Sequence, residues 1–201
     1  VDDGSQGIEK LGNIEKRLKI IRDDSIGIYS WDSSESTINS GNGINEWSQA
    51  DLMTLLNSGA YYNRTTGNCY NGKDNISTSC DFSNIGLTID AKAMISNAKW
   101  YIGSHNTRAV KTSVIYTSER GTVNGKACSS SYNNCNDKVA RTTAWVGEIG
   151  LMYPSDYGYS SDMTVCSNVN LDSYSSSCYN KTWLYNGNYN QWMLNPIANT
   201  T

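Results

Sequence analysis

Apolar residues along this chain come in short bursts, separated by stretches of Asn, Ser, Gly and Asp. The first burst, residues 17–24, alternates loosely between apolar and charged side chains and predicts a strand, which 26–31 continue after a bend. A Ser/Asn/Gly loop over 32–43 follows. Leu52, Leu55 and Leu56 then recur at helical spacing with Trp47 and Met53, which predicts a helix capped by Asn45 or Ser48 and stopped at Gly59. A second helix is predicted over 88–102: Thr88 and Asp90 suit its start, Met94, Ala98 and Tyr101 share a face, and Gly103 ends it. Val110, Val114, Ile115 and Tyr116 predict one or two strands within 104–118. Residues 145–153 read as the most buried strand, with Trp145, Ile149, Leu151 and Met152 in the core, and 154–158 as a turn. Trp183 and Leu184, then residues 191–194, predict a short strand near the end. The mixture is α+β, without internal repeat or linker: a polar segment over 1–13, then one domain over 14–201.

Composition adds a location. Among 201 residues, 38 % are hydrophobic and 17 % charged, both low for a globular domain, while 24 Asn, 27 Ser, 16 Thr and 17 Gly fill the difference. Fourteen Tyr and six Trp are too many for a disordered chain. The net charge is −3 and no Lys/Arg run is long enough to follow a phosphate backbone, which argues against nucleic acid as a partner. No stretch approaches the roughly 18 apolar residues of a membrane span. The chain starts at Val1 without a basic region and apolar run, so it reads as a mature or excised piece whose export signal or anchor has been removed.

Six cysteines fall in three consecutive pairs, Cys69 with Cys80, Cys128 with Cys135 and Cys166 with Cys178, each at the ends of a polar segment. Six cysteines allow 15 pairings, and the short, separated segments favour the sequential one. Each closed loop is worth roughly 2–3 kcal/mol in the chain-entropy account. Zinc sites use closer spacing and often a His partner. Here the intervals are 11, 7 and 12 positions and the lone His105 lies outside all three. Disulfides place the chain in an oxidising compartment, outside the cell or at its surface.

Three segments carry a family resemblance: 18–32, 44–53 and the long run 145–159, together with Trp183-Leu184 and the Trp192-x-Leu194-x-Pro196 pattern. They resemble an uncharacterised family of exported bacterial surface proteins, several with pilin-like N-terminal signals. The resemblance implies an irregular α+β domain, C-type-lectin-like and related to the formylglycine-generating fold, with two helices, a small sheet and long disulfide-stapled loops. It also implies a closing strand beyond the Trp-x-Leu-x-Pro region, which this sequence, ending at Thr201, lacks. An open sheet edge there would be filled by a strand of a neighbouring subunit or by the missing segment.

Candidate chemistry is sparse. The copper oxygenase activity of the formylglycine-generating fold needs a reactive cysteine pair, and six cysteines paired within polar loops argue against it. Asp23, Asp24 and Asp156 are candidate calcium ligands, although short Asp pairs are commonly strand-end or turn residues. Asp156 with Asp162, or Glu46 with Asp51, are the available carboxylate pairs, read here as turn and helix-start charges. Trp183, Tyr185, Tyr189 and Trp192 fall within ten residues among Asn and Gly. Such rings joined by amides suit a partner surface. The two tryptophans are expected in the core, and Tyr185 and Tyr189 at the contact. The expectation is a non-enzymatic surface or pilus-associated protein acting in adhesion or filament assembly, without cofactor. Its partners would be neighbouring subunits or a cell-surface or glycan ligand. The alternative is a carbohydrate-binding or carbohydrate-acting module.

Overall fold

The computed structural model describes residues 8–10, 13–15, 18–33, 43–44, 46–70, 77–102, 109–119, 122–123, 126–127, 144–188 and 190–194. The fold is α+β, built from short helices and small antiparallel ladders. The chain divides into two compact units, one of residues 1–100 and 145–150, the other of 101–144 and 151–201. Among the described residues no helix is long and apolar enough to cross a membrane.

In the first unit, β1 (Ile8–Lys10) pairs with β2 (Asn13–Glu15). Residues 18–23 join no ladder and residue 24 is a bend, which corrects the predicted strand. Leu18 and Ile20 are 81 % and 71 % exposed. The segment is held through its polar side chains instead: the Lys19 ammonium lies 5.7 Å from the Trp100 ring, and Arg22 Nη1 donates to the Ile85 carbonyl at 3.2 Å.

The predicted first helix is broken in two, and a further helix follows its predicted stop. A 3-10 turn over Trp47–Gln49 leads into α1 (Asp51–Asn57), and α2 (Ala60–Asn63) follows Gly59. Leu52, Leu55 and Leu56 are buried, as their spacing predicts. Of the two expected caps, Asn45 lies outside the described residues and Ser48 does not cap α1. Asp32 supplies the cap from across the unit: Oδ1 accepts from Asp51 N (3.1 Å) and Oδ2 from Ile44 N (2.7 Å). The Trp31 carbonyl accepts from Leu52 N (3.1 Å). A carboxylate at a helix start satisfies backbone donors that no turn above them can reach.

β3 (Thr66–Tyr70) and β4 (Ser77–Asp81) form an antiparallel ladder with Gly67 opposite Cys80 and Cys69 opposite Thr78. Aromatic rings fill the interior: Trp47 packs on Trp31 and Trp145 at 5.2 and 5.7 Å, and Phe82 on Tyr29 and Tyr61 at 5.9 and 5.5 Å. Gly86 sits where a Cβ would lie 2.6 Å from the Phe82 carbonyl and 2.8 Å from that of Tyr61, so only glycine lets the chain turn there.

The helix predicted over 88–102 stops after six residues. Thr88 caps α3 (Ile89–Met94), its Oγ1 accepting from Ala91 N at 3.1 Å. Ile95 is extended, and β5 (Ala98–Tyr101) pairs with β8 (Ala144–Gly147). The Trp100 indole N–H donates to the Gly147 carbonyl at 2.9 Å, tying the ladder through a side chain. Met94 is exposed and Ala98 buried, so the supposed helical face never forms.

The predicted strand over 145–153 also ends early, at Gly147. Beyond it one side chain does a strand's work: Asn57 Oδ1 accepts from Glu148 N (3.2 Å) and Ile149 N (3.0 Å), while Nδ2 donates to the Ile149 carbonyl (2.9 Å). Trp145, Ile149, Leu151 and Met152 are half-buried rather than central.

In the second unit, the strands expected within 104–118 give way to a 3-10 turn (Thr112–Val114) and α4 (Ile115–Glu119); residues 103–108 lie outside the described set. β6 (Thr122–Val123) pairs with β7 (Lys126–Ala127). The expected turn at 154–158 is helix α5 (Pro154–Tyr159), with proline at its first position and Asp156 Oδ2 accepting from Tyr153 N at 2.7 Å. Then come α6 (Met163–Cys166), a 3-10 turn (Leu171–Ser173) and α7 (Ser176–Tyr179). A buried hydroxyl chain joins them: Tyr174 OH lies 2.7 Å from Thr112 Oγ1 and 3.1 Å from Ser161 Oγ, which lies 2.7 Å from Thr182 Oγ1. Thr182 Oγ1 donates to the Cys178 carbonyl at 2.8 Å. Residues 191–194 form no strand; their link is Leu194 N donating to the Met152 carbonyl at 2.9 Å.

Candidate functional site

Cys69 bonds to Cys80 and Cys166 to Cys178, the sequential pairing read from the loops. Cys128 and Cys135 lie outside the described residues, as do His105 and Tyr189.

The candidate carboxylates of Asp23, Glu46, Asp51, Asp156 and Asp162 each accept hydrogen bonds. Asp23 Oδ1 accepts from Asp24 N at 3.0 Å in an exposed loop, and Asp156 serves the start of α5. Glu46 Oε1 accepts from Ser48 N and Oγ, while Asp51 Oδ2 accepts from Ser33 N at 2.8 Å. Asp162 caps α6: Oδ1 accepts from Thr164 N (2.9 Å) and Oγ1 (2.6 Å), and Oδ2 pairs with Lys181 at 3.1 Å. The Thr164 hydroxyl first, then Lys181, holds the Asp162 carboxyl below its usual range. Among the described residues, no three of His, Cys, Asp and Glu converge to hold a metal ion.

One coupled pair escaped the sequence reading. Tyr62 OH donates to Glu148 Oε2 at 2.7 Å, and Lys92 Nζ lies 4.0 Å from the Tyr62 ring centre. The bond to Glu148 raises the Tyr62 hydroxyl, because it favours the protonated form. The residues are 86 positions apart, so no local spacing announces them. A hollow of about 100 Å³ in the same unit, bordered by Tyr29, Asp51, Asn68 and Tyr70, has room for a few waters.

The aromatic segment of the second unit differs from expectation. Trp183 and Trp192 are 58 % and 52 % exposed, not core residues; Leu184 and Leu194 are buried in their place. The backbone decides this. Trp183 N donates to the Ser160 carbonyl (3.2 Å) and Tyr185 N to the Thr182 carbonyl (3.0 Å), which turns Leu184 inward and its neighbours outward. Gln191 then ties the loop across: Nε2 donates to the Leu184 carbonyl (2.9 Å) and Oε1 accepts from Asn186 N (3.4 Å). Asn186 Oδ1 accepts from Asn188 N (3.2 Å). The described residues 182–188 and 190–194 are thus anchored by two buried leucines and braced by amides.

Tyr185 is 40 % exposed and its ring stacks on Tyr179 at 4.7 Å and 19°. Tyr179 meets Tyr174 at 6.0 Å, and Tyr174 meets Tyr157 at 6.2 Å. A row of four tyrosines therefore runs from the buried interior to the surface ring. Burial, reinforced by the charges of Tyr179, Tyr174 and Tyr185 should they ionise, pushes the Tyr157 hydroxyl up to about 12. No aspartate, glutamate, lysine, arginine or histidine occurs from 182 to 201. The segment thus carries rings and amides and no charged side chain. No family model matches the chain, and no curated protein or solved structure is significantly similar to it.

Proposed function

We propose that this chain is a non-enzymatic, exported surface or pilus-associated protein with a C-type-lectin-like domain, and that it works by adhesion through the loop over 182–194. The observation that carries the reading is the exposure of Trp183, Tyr185 and Trp192 on a loop braced by Gln191. Large rings held outward expose apolar area to water, a cost that a binding partner removes. The two disulfides support an oxidising, extracellular setting. Asp156 and Asp162 sit at helix starts as caps, and Glu46 and Asp51 accept from backbone donors, which supports binding over catalysis.

The test is retention of the labelled 201-residue chain on intact bacterial and host cells. Saturable retention that falls sharply in the Trp183→Ala, Trp192→Ala double variant is expected. Retention unchanged by that variant, with its near-ultraviolet circular dichroism otherwise native, would remove the loop from the function. Light scattering examines the assembly branch: growth of large particles in the wild type and the double variant alike would favour filament formation over adhesion.

A further inference from the structure

We infer that Asn186-Gly187 is a self-modification site, at which the chain converts the asparagine to aspartate and isoaspartate by cyclising on its own backbone. An asparagine amide is lost when the next backbone nitrogen attacks the side-chain carbonyl carbon. The reaction therefore needs an unengaged N–H after the asparagine and little steric cover. Glycine, without a Cβ, gives the least cover. The chain has four Asn-Gly pairs, and Asn186-Gly187 is the one that lies wholly within the described residues. At Asn57, Asn63, Asn168, Asn170 and Asn180 the following N–H is already engaged, by the carbonyls of Thr54, Tyr61, Cys166, Val110 and Cys178 respectively. Gly187 is exposed, and among the described residues its N–H donates to no protein group.

The surroundings favour the chemistry as well as permit it. Asn186 Oδ1 accepts from Asn188 N at 3.2 Å, which folds the side-chain carbonyl back over the Gly187 peptide. Asn186 N donates to Gln191 Oε1 at 3.4 Å, which holds the residue in that turn. Nucleophile and carbonyl kept in one turn lower the ordering cost of the attack. Solvent hydroxide takes the Gly187 amide proton, the nitrogen bonds to Asn186 Cγ, and the carbonyl electron pair moves onto Oδ1. The Asn188 N–H already donates to that oxygen and stabilises the charge as it develops. Collapse of the intermediate breaks the Cγ–Nδ2 bond and expels ammonia, which takes a proton from water and restores the hydroxide. Water then opens the five-membered imide at either carbonyl. One opening gives aspartate, the other an isoaspartate whose main chain runs through the former side chain. Either product places a carboxylate in a segment, 182–201, that otherwise has no charged side chain.

The experiment is incubation of the full chain in mildly alkaline buffer, folded and in urea, with peptide mapping for the acid product and enzymatic methylation to count isoaspartate. In the folded chain Asn186 is expected to convert before any other described asparagine, giving both products, at a rate no lower than in urea. Asn188→Pro, which removes the donor to Oδ1, should slow the folded reaction about tenfold, less than the loss of a donor in a water-excluded site because this one is exposed. Asn188→Ala, which keeps the N–H, should leave the rate unchanged. Conversion of another described asparagine ahead of Asn186, or a folded rate below the urea rate, would overturn the inference. So would an Asn188→Pro variant as fast as the wild type, or equal slowing by proline and alanine at 188. If Asn188→Pro loses its native near-ultraviolet circular dichroism, the wild-type chain folded against unfolded decides alone.

Discussion

The two described disulfides close segments of nearly equal length, 11 and 12 positions, in different surroundings. Cys69–Cys80 spans a five-residue antiparallel ladder whose backbone bonds already join its two strands. Cys166–Cys178 joins two four-residue helices, and both sulfurs are fully buried beside the chain of hydroxyls from Thr112 to Thr182. Helices of one turn cannot hold themselves. The first unit therefore has regular pairing beneath its staple, whereas the second relies on its staple and on side-chain hydrogen bonds.

That contrast predicts unequal costs. Replacing Cys166 and Cys178 by alanine should destabilise by about 3–5 kcal/mol, combining lost loop closure with a buried void. The same change at Cys69 and Cys80 should cost about 2–3 kcal/mol, since the ladder persists. Urea unfolding of the two double variants checks the order; equal costs would erase the distinction.

A second pair of variants probes the side chains that replace regular structure. Asn57→Ala in the first unit strands two backbone donors and one acceptor at 148–149, and a loss of about 2–3 kcal/mol is expected. Tyr174→Phe in the second unit removes one hydroxyl from a chain whose other members remain bonded, so about 1–2 kcal/mol is expected. If Tyr174→Phe proves the costlier, the hydroxyl chain matters more than its geometry implies.

The smallest effects concern pH. The Tyr157 hydroxyl is raised from 10.0 to about 12 in the folded chain, so its contribution is fully present below pH 10 and is lost as pH rises through 12. Tyr157→Phe should make the fall of the urea midpoint over that interval shallower. Asp162 is shifted the other way: its contribution is present above the ordinary value of 3.8 and is lost as pH falls through the lower folded value. Asp162→Asn should flatten the acid limb slightly, and Asp81→Asn in the first unit should do the same, because the Ser83 hydroxyl and N–H lower Asp81. An acid limb steeper in either variant would contradict the sign.

Much of the local order was legible in the residues. The α+β mixture, the sequential cysteine pairing at both described bridges, the Thr88 cap and the buried leucines of α1 all follow from spacing and chemistry within a dozen positions. What was not legible depended on partners far away in sequence. Residues 98–101 fit a helical face, yet the ladder with β8 and the bond from Trp100 to Gly147 draw them into a strand. Residues 148–149 fit a strand, yet Asn57, more than ninety positions upstream, satisfies their backbone instead. In the candidate site, the sequence placed Trp183 and Trp192 in the core, and both are exposed. Trp183 and Leu184 are both apolar, and hydrophobicity alone sends either inward. The bonds from Trp183 to Ser160 and from Tyr185 to Thr182 choose leucine, because a backbone pinned at both sides leaves one of two successive side chains facing the interior.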